Sequence, residues 1–246
     1  MKISFVVPAY NEEKYVGECI ESIKREVEGS PYAAEVIVVN NASTDRTESV
    51  ARSHAGVKVI NEPRKGLVWA RRAGYLASVG ELIANIDADT RLTRGWLQKV
   101  MIAFSGDSNL VAMSGPFIHY DIASPRGRFL VRFWYWIVFI SQGIMKTLFG
   151  TGAFLQGGNY VVRRTALEAI GGYNTNIEFY GEDSDVGRRL VKVGKVVFTF
   201  KLPAYSSARR LKREGMVATA VRYTVNYVWG LIFGKSFHST YQDIRN

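Results

Sequence analysis

The sequence predicts an α/β fold: a mostly parallel central sheet flanked by helices, with an aromatic and basic helical appendage at the C-terminus. Three observations predict it. Short apolar runs alternate with helical patterns through the first third of the chain, and such alternation builds parallel βαβ units with right-handed crossovers. Several runs are continuously apolar, as strands covered on both faces are. The 246 residues, 47% hydrophobic and 22% charged, suffice for one α/β domain and a modest appendage.

The elements follow in order. Ile3 to Val7 is an unbroken apolar run, hence a central strand. Glu12 to Val27 carries Val16, Cys19, Ile20, Ile23 and Val27 at helical spacing. Glu35 to Val39 is a second strand, and Thr44-Asp45 opens a second helix. Val57 to Ile60 is a shorter strand, Leu67 to Val79 a helix rich in small residues, and Glu81 to Ile86 the fourth strand. From about residue 93 the pattern loosens. Leu97 to Phe104 reads as helix and Leu110 to Phe117 as strand, and a strongly aromatic segment runs from Phe129 to Phe149. The turn Gly157-Gly158-Asn159 leads into a strand, Tyr160 to Arg163; Glu182 to Val193 is an amphipathic helix and Val196 to Phe200 the last strand. The expected organisation is a domain over 1–210 in two halves, 1–92 and 93–210, followed by an amphipathic helical tail over 211–246.

Charge and cysteine content narrow the partners. Thirty-two basic against 22 acidic residues give a formal charge of +10, which favours an anionic partner without choosing between nucleotide phosphates, an anionic membrane and nucleic acid. The single cysteine, Cys19, excludes an intrachain disulfide. The N-terminus has one Lys, then a short apolar run meeting Asn11-Glu12-Glu13 at once, which reads as a buried strand and not as an export signal. A cytoplasmic protein is the expectation.

Asp87-Ala88-Asp89 follows the fourth strand directly. Ligands of open α/β sheets bind beyond the carboxyl ends of the strands. Two carboxylates one residue apart suit a hard divalent cation whose remaining shell can come from phosphate oxygens. A plain Asp turn has the same local composition. The surrounding patterns decide for the first reading: Pro8-Ala9-Tyr10-Asn11-Glu12 after strand one, Asn40-Asn41-Ala42-Ser43-Thr44-Asp45 after strand two, Arg71-Arg72 in the third helix, and Gly181-Glu182-Asp183 late in the chain.

In these motifs, in this order, the chain resembles the family-2 inverting glycosyltransferases of the GT-A nucleotide-sugar fold, from Ile3 to about Arg210. The resemblance implies a metal-dependent transfer of a sugar from a nucleoside diphosphate, UDP by family frequency, to an acceptor hydroxyl in glycan or glycolipid synthesis. It implies Pro8, Tyr10, Glu12, Asn41, Arg71 and Asp87 at the nucleotide, Arg71 at its diphosphate, and Asp89 with Asp87 at Mn²⁺ or Mg²⁺. Asp183 is implied as the base, with Glu182 beside it. A nucleoside diphosphate leaves as an anion, so one carboxylate that takes the acceptor's proton suffices. Gly157, Gly158 and Asn159 are expected at the donor or acceptor pocket, and Arg209 and Arg210 in a loop closing over the diphosphate. The chain departs from the family at Asn40-Asn41, where an acidic pair is usual.

Two rivals stay in view. A sugar nucleotidyltransferase should carry a glycine-rich loop after strand one, where this chain has Pro-Ala-Tyr-Asn-Glu. A non-catalytic anion-binding relative would need no paired carboxylates at a strand end. For the aromatic segment, Arg132 and Lys146 limit the uncharged stretch to 13 residues, too short for a span of about 20. Its aromatic residues beside Arg126, Arg128, Arg209, Arg210, Lys212 and Arg213 suit a helix lying on anionic lipid, peripheral to the inner membrane face; a buried helix or a dimer interface is the alternative.

Overall fold

The computed structural model describes residues 1–149, 154–177 and 181–233; the last part of the expected tail, 234–246, lies outside the described residues. The first half delivers the alternation: β1 (Lys2–Ala9), α1 (Val16–Val27), β2 (Ala33–Asn40), α2 (Thr47–Arg52), β3 (Val57–Asn61), α3 (Leu67–Ala77) and β4 (Leu82–Ile86). The second half contains β5 (Thr90–Leu92), α4 (Trp96–Gly106), β6 (Leu110–Ser114), β7 (Phe117–His119), α5 (Pro125–Phe149) and β8 (Asn159–Arg163). It continues through α6 (Arg164–Ala169), α7 (Glu182–Leu190), β9 (Lys195–Phe198), β10 (Ala204–Ser206), α8 (Arg209–Glu214) and α9 (Met216–Phe233).

Seven strands form the main sheet in the order β3-β2-β1-β4-β8-β6-β9. All neighbours are parallel except β8, which runs antiparallel to both β4 and β6. The apolar runs are continuous because both faces are covered. Ile3, Phe5 and Val7 of β1, with Val36 and Val38 of β2, face the layer containing α1 and α4. The alternate residues Val6, Ile37 and Val39 face the layer of α3 and α7. Cys19 is buried in the first of these layers.

Local chemistry shifts several expected boundaries. The first helix begins at Val16, four residues after Glu12; Glu12 to Tyr15 form the turn that leads into it, with the Tyr15 and Val16 N–H groups both donating to the Glu12 carbonyl at 2.9 Å, and Asn11 before it takes a left-handed backbone (φ 51°). The Asn11 carboxamide oxygen accepts from the Thr44 N–H at 2.9 Å, so the side chain ties the first two loops together instead of capping α1. The second helix begins at Thr47, with Asp45 accepting from the Thr47 N–H at 2.9 Å. The strand expected from Leu110 to Phe117 breaks at Gly115, where a β-carbon would lie 1.9 Å from the Leu202 carbonyl oxygen. Beyond the break, β7 joins β5 and β10 in a small second sheet ordered β5-β10-β7. The aromatic helix α5 packs one face, through Tyr135 and Val138, against Phe117, Phe154 and Phe198. In the tail, α9 packs against α7 and α8.

Candidate active site

The sheet gathers the site at one edge. Residues Ala9 and Asn40 are in register, as are Asn40 and Asn61, so the loops after β1, β2 and β3 leave the sheet side by side. The antiparallel strand β8 then does what a parallel one could not: it enters the sheet at this same edge. Asn159 pairs with Ile86, and the Asp87 N–H donates to the Gly158 carbonyl at 3.2 Å. The Gly157-Gly158 turn is thereby laid against Asp87. Gly158 has φ 80°, and a β-carbon on it would lie 2.2 Å from the Asp87 carboxyl carbon; no other residue type combines that backbone with that approach.

The turn also reaches the other carboxylate cluster. The Gly157 N–H donates to Asp183 Oδ2 at 3.1 Å, and the Ser184 N–H donates to Asp183 Oδ1 at 2.8 Å. Asp183 is partly exposed at the start of α7. Burial pushes its carboxyl above the ordinary aspartate range, more than Arg71 and the two amide donors pull it down, and Asp87 adds to the rise. A carboxylate of raised pKa is a better proton acceptor than a surface aspartate.

Arg71 lies beneath both clusters. Its side chain has no exposed surface. Nη2 stands 3.1 Å from Asp87 Oδ1, Nη1 meets Glu182 Oε1, and the guanidinium lies 5.4 Å from the centre of the Tyr160 ring. Burial opposes the charge, but Tyr160 and Asp87 outweigh it and hold the group above the ordinary arginine value. A diphosphate-binding arginine needs an accessible face. Arg71 has none, so in this structure it is the buried counter-ion of two carboxylates. Glu182, expected beside Asp183 as a catalytic group, is likewise buried on Arg71. Of the pair, Asp183 alone has an open side.

Other expected residues divide similarly. Pro8 is buried within β1, and Tyr10 is partly exposed, with the Lys65 ammonium 2.7 Å from its hydroxyl and 4.0 Å from its ring centre. Glu12 is buried and paired with Arg209. The Asn159 carboxamide faces the interior: it accepts from Trp96 Nε1 at 3.0 Å and donates to the carbonyls of Gly115 and Leu202. It supports the turn from behind and does not line the pocket. Arg210 is paired with Glu214, which also binds Arg222 of α9.

The departure at Asn41 has a structural use. Its amide donates to the carbonyls of Glu62 (2.9 Å) and Arg64 (2.7 Å), and its oxygen accepts from the Gly66 N–H at 2.8 Å. A carboxylate could not make the two donated bonds. Asparagine at this position therefore folds the 62–66 loop, and that loop carries Lys65 onto Tyr10. Lys65 escaped sequence reasoning; a cation directly before the Gly66 that precedes α3, at the carboxyl edge of a strand, was the available signal.

Three comparisons identify the chain's relatives. The glycosyl transferase family 2 pattern matches residues 4–171, well over half of the sequence. The chain belongs to glycosyl transferase family 2. A curated relative, the putative glycosyltransferase EpsH of Bacillus subtilis, is 30% identical over 113 residues, covering 44% of this chain and 32% of that protein. Among solved structures, the mannosyltransferase PcManGT of Pyrobaculum calidifontis in complex with GDP-Man and Mn²⁺ superposes with a TM-score of 0.72 at 19% identity, over 95% of this chain and 65% of that one. Glucosyl-3-phosphoglycerate synthase of Mycobacterium tuberculosis, in complex with Mn²⁺, UDP-glucose and phosphoglyceric acid, gives 0.60 at 21% identity, over 92% and 78%. The fold is thus of the GT-A type, and the chain matches about a third of the length of its EpsH relative.

Proposed function

We propose that this family 2 chain is an inverting, metal-dependent glycosyltransferase that moves a sugar from a nucleoside-diphosphate sugar to an acceptor hydroxyl. The observation that carries the reading is the Gly157-Gly158 turn, which joins the Asp87 carboxylate at the nucleotide edge to Asp183 at the acceptor edge. Asp183 takes the acceptor's proton. Arg71 and Glu182 position it from below, and Tyr10 and Lys65 line the nucleotide side. Asp87 and Asp89 fit a divalent ion in donor chemistry: both are hard carboxylates, and each already faces a cation, Arg71 or Arg209. Among the described residues no third His, Cys, Asp or Glu completes a metal cluster, so Mn²⁺ or Mg²⁺ would take its remaining ligands from the donor diphosphate and water. Bound there, it would offset charge on the leaving diphosphate.

Thermal stabilisation by UDP, GDP, dTDP and CMP, each with and without Mn²⁺, tests the reading. One nucleotide, with UDP favoured, is expected to raise the melting temperature only with Mn²⁺. At a hundred times its dissociation constant the ligand contributes about 2.7 kcal/mol. Asp89→Asn is expected to lose the effect. Stabilisation that ignores both metal and mutation would remove Asp89 from the metal.

The acceptor side favours a lipid-linked or surface glycan at an anionic membrane. No helix among the described residues is long and apolar enough to cross a membrane. One face of α5 nevertheless exposes Phe129, Leu130, Phe133, Trp136, Ile137 and Ile140 at helical spacing, opposite the face that packs on the domain. The helix has no acidic residue, and Arg126, Arg128 and Arg132 are exposed beside the stripe. An apolar stripe with a basic margin matches the headgroup boundary of an anionic bilayer, which fits a cytoplasmic protein peripheral on the inner face. The chain is expected to float with vesicles containing anionic lipid at low salt, and Phe133→Glu/Trp136→Glu to stay behind. Equal flotation of both proteins would contradict the assignment.

A further inference from the structure

We propose that Arg209 is the resident cation of the Asp89 and Glu12 carboxylates and sets how tightly a divalent ion binds there; the proposal rests on the metal reading above. Arg209 begins α8, 197 residues from Glu12 in sequence. The segment that presents it is fastened to Asp121, which accepts from the Ala208 N–H at 2.6 Å and the Ser207 hydroxyl at 3.2 Å and lies 3.1 Å from Lys212 Nζ. From that anchor, Arg209 Nη2 reaches Glu12 Oε1 and lies 3.1 Å from Asp89 Oδ2. Its guanidinium carbon lies 4.9 Å from the centre of the Tyr15 ring.

A divalent ion on Asp89 would stand close to the Arg209 guanidinium that lies 3.1 Å from Asp89 Oδ2. The two cations repel at that separation in a site largely shielded from water, so a metal binds Asp89 less tightly while Arg209 stays beside it. The burial of the three side chains permits Arg209 to move away. Glu12 is 3% exposed and Asp89 13%, whereas Arg209, at 22%, keeps an outward path. A forked guanidinium released beside a diphosphate has a ready bidentate partner in the phosphate oxygens. Arg209 therefore opposes metal binding to the empty site and stops opposing it when the diphosphate arrives, which makes the two ligands bind cooperatively. Arg210 takes no part, since Glu214 holds it.

The test is a Mn²⁺ titration of the full chain, read from the electron paramagnetic resonance signal of free Mn²⁺, with and without UDP or GDP. Without nucleotide, Arg209→Gln is expected to bind Mn²⁺ on the order of tenfold tighter than wild type, within the usual size of a coupling between sites. The gain in affinity that nucleotide gives should shrink accordingly. Asp121→Asn, which loosens the segment without touching the carboxylates, is expected to shift affinity the same way and guards against a folding defect in the first variant. Unchanged or weaker Mn²⁺ binding in both variants, with wild type binding normally, overturns this role of Arg209 alone. Absence of Mn²⁺ binding by every protein, with or without nucleotide, overturns the metal reading and this inference together.

Discussion

Asp183→Asn is expected to lower sugar transfer by about 10²- to 10⁴-fold, the usual contribution of a positioned general base, while leaving nucleotide-dependent thermal stabilisation intact. An amide occupies the same volume and can still accept one of the hydrogen bonds from Gly157 or Ser184, but it cannot take a proton from a hydroxyl. The pH dependence follows from the direction of the Asp183 shift. The base works ionised, so kcat/KM rises with pH through its pKa, and burial places that limb above the ordinary aspartate value of about 3.9. The stability sign runs the other way. A carboxyl whose folded pKa is raised contributes stability below its unfolded pKa, and that contribution is lost as pH rises through the folded value. The variant avoids this cost and is expected to unfold at or above the wild-type midpoint at neutral pH. A variant that transfers sugar at the wild-type rate, or one that loses nucleotide binding as well, would take Asp183 out of the base role.

Arg71→Met is expected to destabilise the chain by about 3–5 kcal/mol, the cost of leaving buried charge without its partner. Methionine fills much of the volume, so the loss is chiefly electrostatic. Asp87 and Glu182 approach the same guanidinium from the two halves of the sheet edge. Without it they repel one another, and the Gly157-Gly158 turn loses its fixed setting. The accompanying Glu182→Gln change removes one stranded charge, so the double variant should cost less than the sum of the singles, as expected for residues in contact. Urea unfolding of the three variants checks this. A loss below about 1 kcal/mol for Arg71→Met would place it among exposed pairs and contradict a buried counter-ion.

These expectations also mark where the sequence was legible. The strands of the first half could be read because both faces of the sheet bury side chains, which leaves runs such as Ile3 to Val7 without a polar interruption. The second sheet could not: β5, β7 and β10 have three residues each, shorter than any alternation needs to declare itself. Candidate site residues were legible as positions in a motif order, which singled out Asp87, Asp89 and Asp183 as candidates, but residue type does not reveal depth. Arg71 looked like a phosphate ligand and proved to be buried, because its partners come from α7 and the end of β4, segments distant in sequence that the antiparallel β8 brings together. Asn41 looked like a weakened base contact, and its use became visible only with the three backbone groups of the 62–66 loop around it. Glu12 and Arg209 form a pair that no local pattern could announce.

In the mechanism proposed here a single carboxylate, Asp183, directs one displacement at the sugar's anomeric carbon. The most direct measurement is the anomeric configuration of the glycoside formed from an α-linked nucleoside-diphosphate sugar, read from the proton NMR coupling of its anomeric hydrogen. A β product, inverted at the anomeric carbon, is expected. An α product formed at the enzyme's full rate would mean a mechanism in which Asp183 is not the base, and would contradict this one.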